Sequence, residues 1–89
     1  MSTLQDKMQS LPPTEREIVL RIIAASKSAS EDDPLLSADL LWIAMRVVWG
    51  GATPRWQKQM LEILWAASRR YPCLAWVADK LSELWGVSA

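Results

Sequence analysis

The sequence predicts an all-α protein, a compact bundle of four main helices preceded by a short helical lead. Three observations predict it. Apolar residues recur at three- and four-residue spacing in each long segment, the pattern of helices with one buried face. Proline, glycine and short polar residues punctuate those segments where helices start and stop. Apolar residues make up 51% of the chain and the formal net charge is zero, which argues against disorder. With 89 residues the chain suffices for one domain, read as 1–89.

Residues 1–11 are polar, with Leu4, Met8 and Leu11 at helical spacing. They predict a short, loosely docked helix that Pro12 and Pro13 stop. The first main helix is expected over 15–27. Thr14 is its candidate cap, and Glu17 three residues later completes a capping box. Ile18, Val19, Ile22, Ile23 and Ala25 share one side. Arg16, Glu17, Arg21 and Lys27 take the other, with Leu20 stranded among them. A serine- and acid-rich loop follows, from Ser26 to Asp33.

The second main helix is expected over 34–49. Asp33 caps it with Pro34 in its first position, Ser37 is an alternative cap, and Gly50-Gly51 ends it. At 100° per residue its apolar side chains go all the way round. Only Asp39 and Arg46, seven apart, mark a polar strip. A helix apolar on every side belongs in a core or an interface, so this one is expected to be the most buried.

Thr53-Pro54 starts the third helix, expected over 54–70. Trp56, Met60, Ile63, Leu64 and Ala67 form its apolar face, which Leu61 and Trp65 widen. Arg69 and Arg70 fall in its last turn, where they complement the helix dipole. Tyr71-Pro72 breaks the chain, and the fourth helix spans 73–85 before Gly86. Cys73, Leu74, Val77, Leu81 and Leu84 share its apolar face, while Trp76 falls among Asp79, Lys80 and Glu83.

The same residues exclude most chemistry. There is no histidine and one cysteine, so neither an internal disulfide nor a Cys/His zinc site is available. No glycine-rich phosphate loop, nucleophile elbow or metal-ligand spacing occurs. Cys73 reads as a small buried apolar side chain rather than a nucleophile. No enzyme activity, cofactor or metal is expected. Residues 1–10 lack the apolar stretch of a signal peptide. The run from Leu40 to Met45 is far short of the ~20 residues of a membrane span. The protein is therefore expected to be cytoplasmic, without a transmembrane segment.

Six tryptophans, against one tyrosine and no phenylalanine, are the positive signal. Buried tryptophan fills cores, and exposed tryptophan anchors interfaces. Trp56 and Trp85 lie on apolar faces and are assigned to the core. Trp42 and Trp49 share one stripe opposite the better aliphatic face of their helix. Together with Trp65, Trp76, Leu20, Arg69 and Arg70 they form the expected protein interface. The expected function is a non-catalytic interaction module, an adaptor, antagonist or regulator that binds another protein or a second copy of itself.

Two other classes of function compete with this one. Residues 11–24 (Leu-Pro-Pro-Thr-Glu-Arg-Glu-Ile-Val-Leu-Arg-Ile-Ile-Ala) resemble the first helix of LuxR-type and sigma-factor helix-turn-helix domains, which implies a DNA-binding regulator. The chain departs from that pattern next: a serine and acid loop and a nearly uncharged helix stand where a basic recognition helix belongs. Arg55, Lys58, Arg69 and Arg70, with Trp65 to stack, leave a weak local patch, and the zero net charge argues against nucleic acid. Trp56 and Trp65 with Lys58 and Arg55 also give the third helix some character of a membrane-surface helix.

Overall fold

Five helices and no strand make up residues 3–87, the part of the chain that the computed structural model describes. They are α1 (Leu4–Ser10), α2 (Pro13–Ala29), α3 (Pro34–Trp49), α4 (Pro54–Ala67) and α5 (Cys73–Trp85). Met1 and Ser2 of the expected lead lie outside the described residues.

Local chemistry sets most boundaries. Asp33 Oδ1 accepts from the Leu36 N–H (3.2 Å) and Thr53 Oγ1 from the Trp56 N–H (3.2 Å), each just ahead of a first-position proline. Gly86 closes α5 in the left-handed region (φ 65°), where the Val87 N–H reaches back to the Ser82 carbonyl (3.1 Å).

Three boundaries differ from expectation. α2 starts at Pro13, and Thr14 sits inside its first turn rather than capping it. Pro13 needs no N–H partner and already holds a helical φ, so the helix begins one residue before Thr14. The capping box belongs to α1, where Thr3 and Asp6 exchange side-chain to backbone bonds of 3.2 and 3.3 Å. α2 also runs on to Ala29, because Ala25, Ser26 and Ala29 continue the buried stripe of Ile18 and Ile22. α4 ends at Ala67 instead of residue 70. Ser68 donates to the Trp65 carbonyl (2.6 Å) and the Tyr71 N–H to that of Ala67 (2.9 Å), which turns the chain. Arg69 and Arg70 therefore lie beyond the helix.

The core is shared by the four longer helices. Ile18 and Ile22 of α2, Leu40 and Ile43 of α3, Met60 and Leu64 of α4, and Leu74 and Leu81 of α5 are fully buried. α2 and α3 form the most extensive pair and α4 and α5 the next, with α2 also meeting α5. α3 touches α1 and α4 more lightly.

Small side chains let α2 and α3 approach closely. At their junction Ser26 Oγ donates to the Ser37 carbonyl (2.9 Å) and Ser37 Oγ to the Ser26 carbonyl (2.8 Å), both serines being buried. The second bond serves one of the last four carbonyls of α2, a buried one. The Ser30 N–H would serve the Ser26 carbonyl in a continuing helix, but it turns to Lys27 (3.3 Å), and the Asp33 N–H takes Ala29 (2.8 Å). Ser37 thus supplies from α3 the donor that α2 has lost.

Besides the packing of Met8 against the core, one side chain of α2 ties α1 down. Arg16 Nε donates to the Met8 carbonyl (3.1 Å), and Nη2 donates to those of Gln9 (2.9 Å) and Leu11 (3.1 Å). These carbonyls lie at and just past the end of α1, where the dipole is negative, and that of Met8 also accepts from the Leu11 N–H (3.2 Å).

Burial corrects three expectations. α3 is not enclosed: Leu40, Ile43, Ala44 and Val48 are buried, while on the opposite side Leu35 and Trp49 are exposed and Trp42 and Met45 half-buried. Only α2 packs deeply against it, and five helices of this length cannot wrap it. Trp56 is not core but 39% exposed. Cys73 is exposed rather than buried, since it opens α5 at the edge of the buried face. Among the described residues no helix is long and apolar enough to cross a membrane.

Candidate protein-docking face

The open side of α3 carries an ordered pattern. Leu35, Ala38, Trp42, Met45 and Trp49 follow one another at spacings of three, four, three and four. That is the a and d spacing of a heptad, and here its two ends are exposed while its middle, Trp42 and Met45, also packs against the edge of the core. It runs about 21 Å, from the first turn of the helix to its end. Leu35 is 80% exposed and Trp49 47%, while Trp42 and Met45 are half-buried. α3 thus has two apolar faces, one spent on α2 and the core, the other left partly open to solvent.

Trp42 is steadied from α4. Its ring meets that of Trp56 edge to face, with centroids 5.7 Å apart and planes at 69°. This contact is what takes Trp56 off the core and joins it to the seam. Toward the start of α3 the surface continues into a shallow groove of about 410 Å³, between Leu35, Leu36 and Asp39 on one side and Ile63, Ala66 and Arg70 on the other.

Charge lines one edge of the seam. Asp39 and Arg46 each occupy the position just after a d residue, seven apart on the same stripe. Among the described residues neither makes a side-chain hydrogen bond or an ion pair. Two turns of helix separate them, so they cannot reach each other. The Arg46 side chain lies against the glycine turn, its Nη1 3.7 Å from where a Cβ on Gly51 would stand. Its Nε is buried without an acceptor, a cost for a charged donor.

The other expected interface residues lie elsewhere. Trp65 is 38% exposed, but it sits nine residues from Trp56, on the opposite flank of α4. Trp76 has charged neighbours on its own helix and is nonetheless half-buried. Arg21 of α2 lays its guanidinium over the ring, 4.3 Å from the centroid, while bonding Glu17 at 2.9 Å. Leu20 lines a separate groove with Leu4, Met8 and Arg16. Arg69 is exposed. Arg70 stands 3.9 Å from Asp32 and stacks on Tyr71, at one end of the α3–α4 groove. Of the seven, then, only Trp42 and Trp49 share the seam, with Arg70 near its end.

Leu35, Ala38 and Met45 join the surface although none of them is among the expected interface residues. Their alternating spacing with Trp42 and Trp49 was the available signal. No group of three or more acidic, cysteine or histidine side chains converges among the described residues. What this surface offers a ligand is apolar area, aromatic edges and one pair of unmatched charges. Comparison with protein-family models, curated proteins and solved structures returns no match.

Proposed function

We propose that the protein is a non-catalytic interaction module, of the adaptor, antagonist or regulator kind, that docks a protein on the outer face of α3 and on Trp56. One observation carries the reading: a heptad pattern as long as α3 itself is exposed at Leu35 and Trp49 and only half-covered at Trp42 and Met45. Leu35 and Trp49 add little to the stability of the folded chain where they stand, and contiguous exposed apolar surface marks association sites. The tryptophans suit the role, because they bury large rigid areas at low entropic cost. We place the protein in the cytoplasm, where an exposed unpaired thiol such as Cys73 stays reduced.

The test uses the tagged protein as bait in extract of its own source cells. Leu35→Glu and Trp49→Glu change exposed side chains, so thermal unfolding is expected to stay within a few degrees. Proteins held by the unmodified bait are expected to be absent from both variants. Identical captures from all three baits would refute the reading.

A further inference from the structure

We infer that the occupant of the α3 face is a second copy of the same chain, paired antiparallel through α3. This rests on the docking role proposed above and names the partner. The seam is self-complementary in one direction only. In an antiparallel heptad pair each a position packs beside a d position of the other helix. Centring the pair between residues 43 and 44 sets Trp42 beside the partner's Met45 and Ala38 beside the partner's Trp49. The largest exposed ring thus meets the smallest seam residue, and the close-packing rule of large against small is met twice.

Charge selects the same arrangement. Antiparallel pairing brings like edges together, so Asp39 of each copy faces the partner's Arg46, giving two attractive pairs related by the twofold axis. Parallel pairing would set those charges against the opposite edge, which holds Leu41 and Val48. Both charges lack an ion-pair partner within the described residues, and a second copy supplies one to each. The zero net charge puts no general repulsion in the way. Trp56, edge-on to Trp42, widens the contact beyond the two helices.

Light scattering on a sizing column, from micromolar to millimolar protein, tests this. The expected mass is twice the 10.1 kDa of one chain. Asp39→Arg and Arg46→Asp each place like charges at both ends of the interface and are expected to weaken dimerisation about tenfold or more. An equimolar mixture of the two variants puts opposite charges back at both ends and is expected to recover the dimer. The double variant in one chain is expected to recover it too. Thermal unfolding followed by circular dichroism checks that each variant is folded, and Trp49→Glu replaces any that is not.

A wild-type monomer at every concentration overturns the inference. So does a dimer indifferent to the charge reversals, or variants that fail to re-pair on mixing. A monomer whose Leu35→Glu and Trp49→Glu baits still lose captured proteins would leave the docking role intact with a different partner. A monomer whose captures are unchanged would end both.

Discussion

Removing one of two reciprocal hydroxyls should matter far more than removing the other. Ser26 and Ser37 trade nearly equal bonds, 2.9 and 2.8 Å, in the same buried junction. Their acceptors differ. The Ser37 carbonyl is inside α3, where an N–H one turn on already serves it, so Ser26→Ala removes a supplementary bond. The Ser26 carbonyl is at the end of α2, and the Ser30 N–H has turned away from it to Lys27. Ser37→Ala therefore strands a buried acceptor. A net hydrogen bond is worth about 0.5–1.5 kcal/mol, and a buried group left unpaired costs about 1–3 kcal/mol. Alanine's better helix propensity returns a few tenths in either case. Ser26→Ala should then cost about 0.5–1 kcal/mol and Ser37→Ala about 2 kcal/mol. For a domain of this length that means losses in Tm of roughly 2–8 °C and roughly 8–16 °C. Calorimetry or urea unfolding of both variants measures the asymmetry. Equal losses, or a larger one for Ser26→Ala, would refute the reasoning from carbonyl accounting.

Two further outcomes follow from the packing. Leu64→Ala should cost about 2–5 kcal/mol as a core deletion, and Trp56→Ala only about 1–2 kcal/mol, mainly its edge contact with Trp42; urea midpoints that rank them the other way would return Trp56 to the core. Arg16→Ala should free α1 while leaving the rest folded, so amide exchange across residues 4–10 is expected to rise about tenfold or more with little change in α2–α5.

How much of this was legible depended on range. Asp33-Pro34, Thr53-Pro54, Gly50 and Gly86 state their boundaries because the chemistry that sets them lies within a few residues. The end of α2 was harder. Ser26 reads as loop when its neighbours are serines and acids, and its partner Ser37 arrives only through the fold. Trp76 was misleading for a related reason, since the side chain that covers it comes from α2. Trp56 lay on the right helical face for the core, but the edge of that face abuts α3 rather than the centre. Trp42 and Trp49 were visible as one stripe. That the stripe faces solvent required knowing that only one neighbour packs deeply against α3.

The placement of proline has a consequence outside the folded molecule. All five prolines stand at helix starts, Pro13, Pro34 and Pro54 in first positions and Pro12 and Pro72 as N-caps. Their rings hold φ near the helical value in the denatured chain as well, and each biases the residue before it toward extended backbone. Leu11, Pro12 and Thr53 already have that extended geometry in the folded protein, with ψ of 147°, 151° and 161°. A proline that fits its site is worth about 0.4–1 kcal/mol, because the disordered ensemble has fewer conformations to give up. A protein this small has a thin margin, and part of that margin is secured in an ensemble where none of its helices has yet met another.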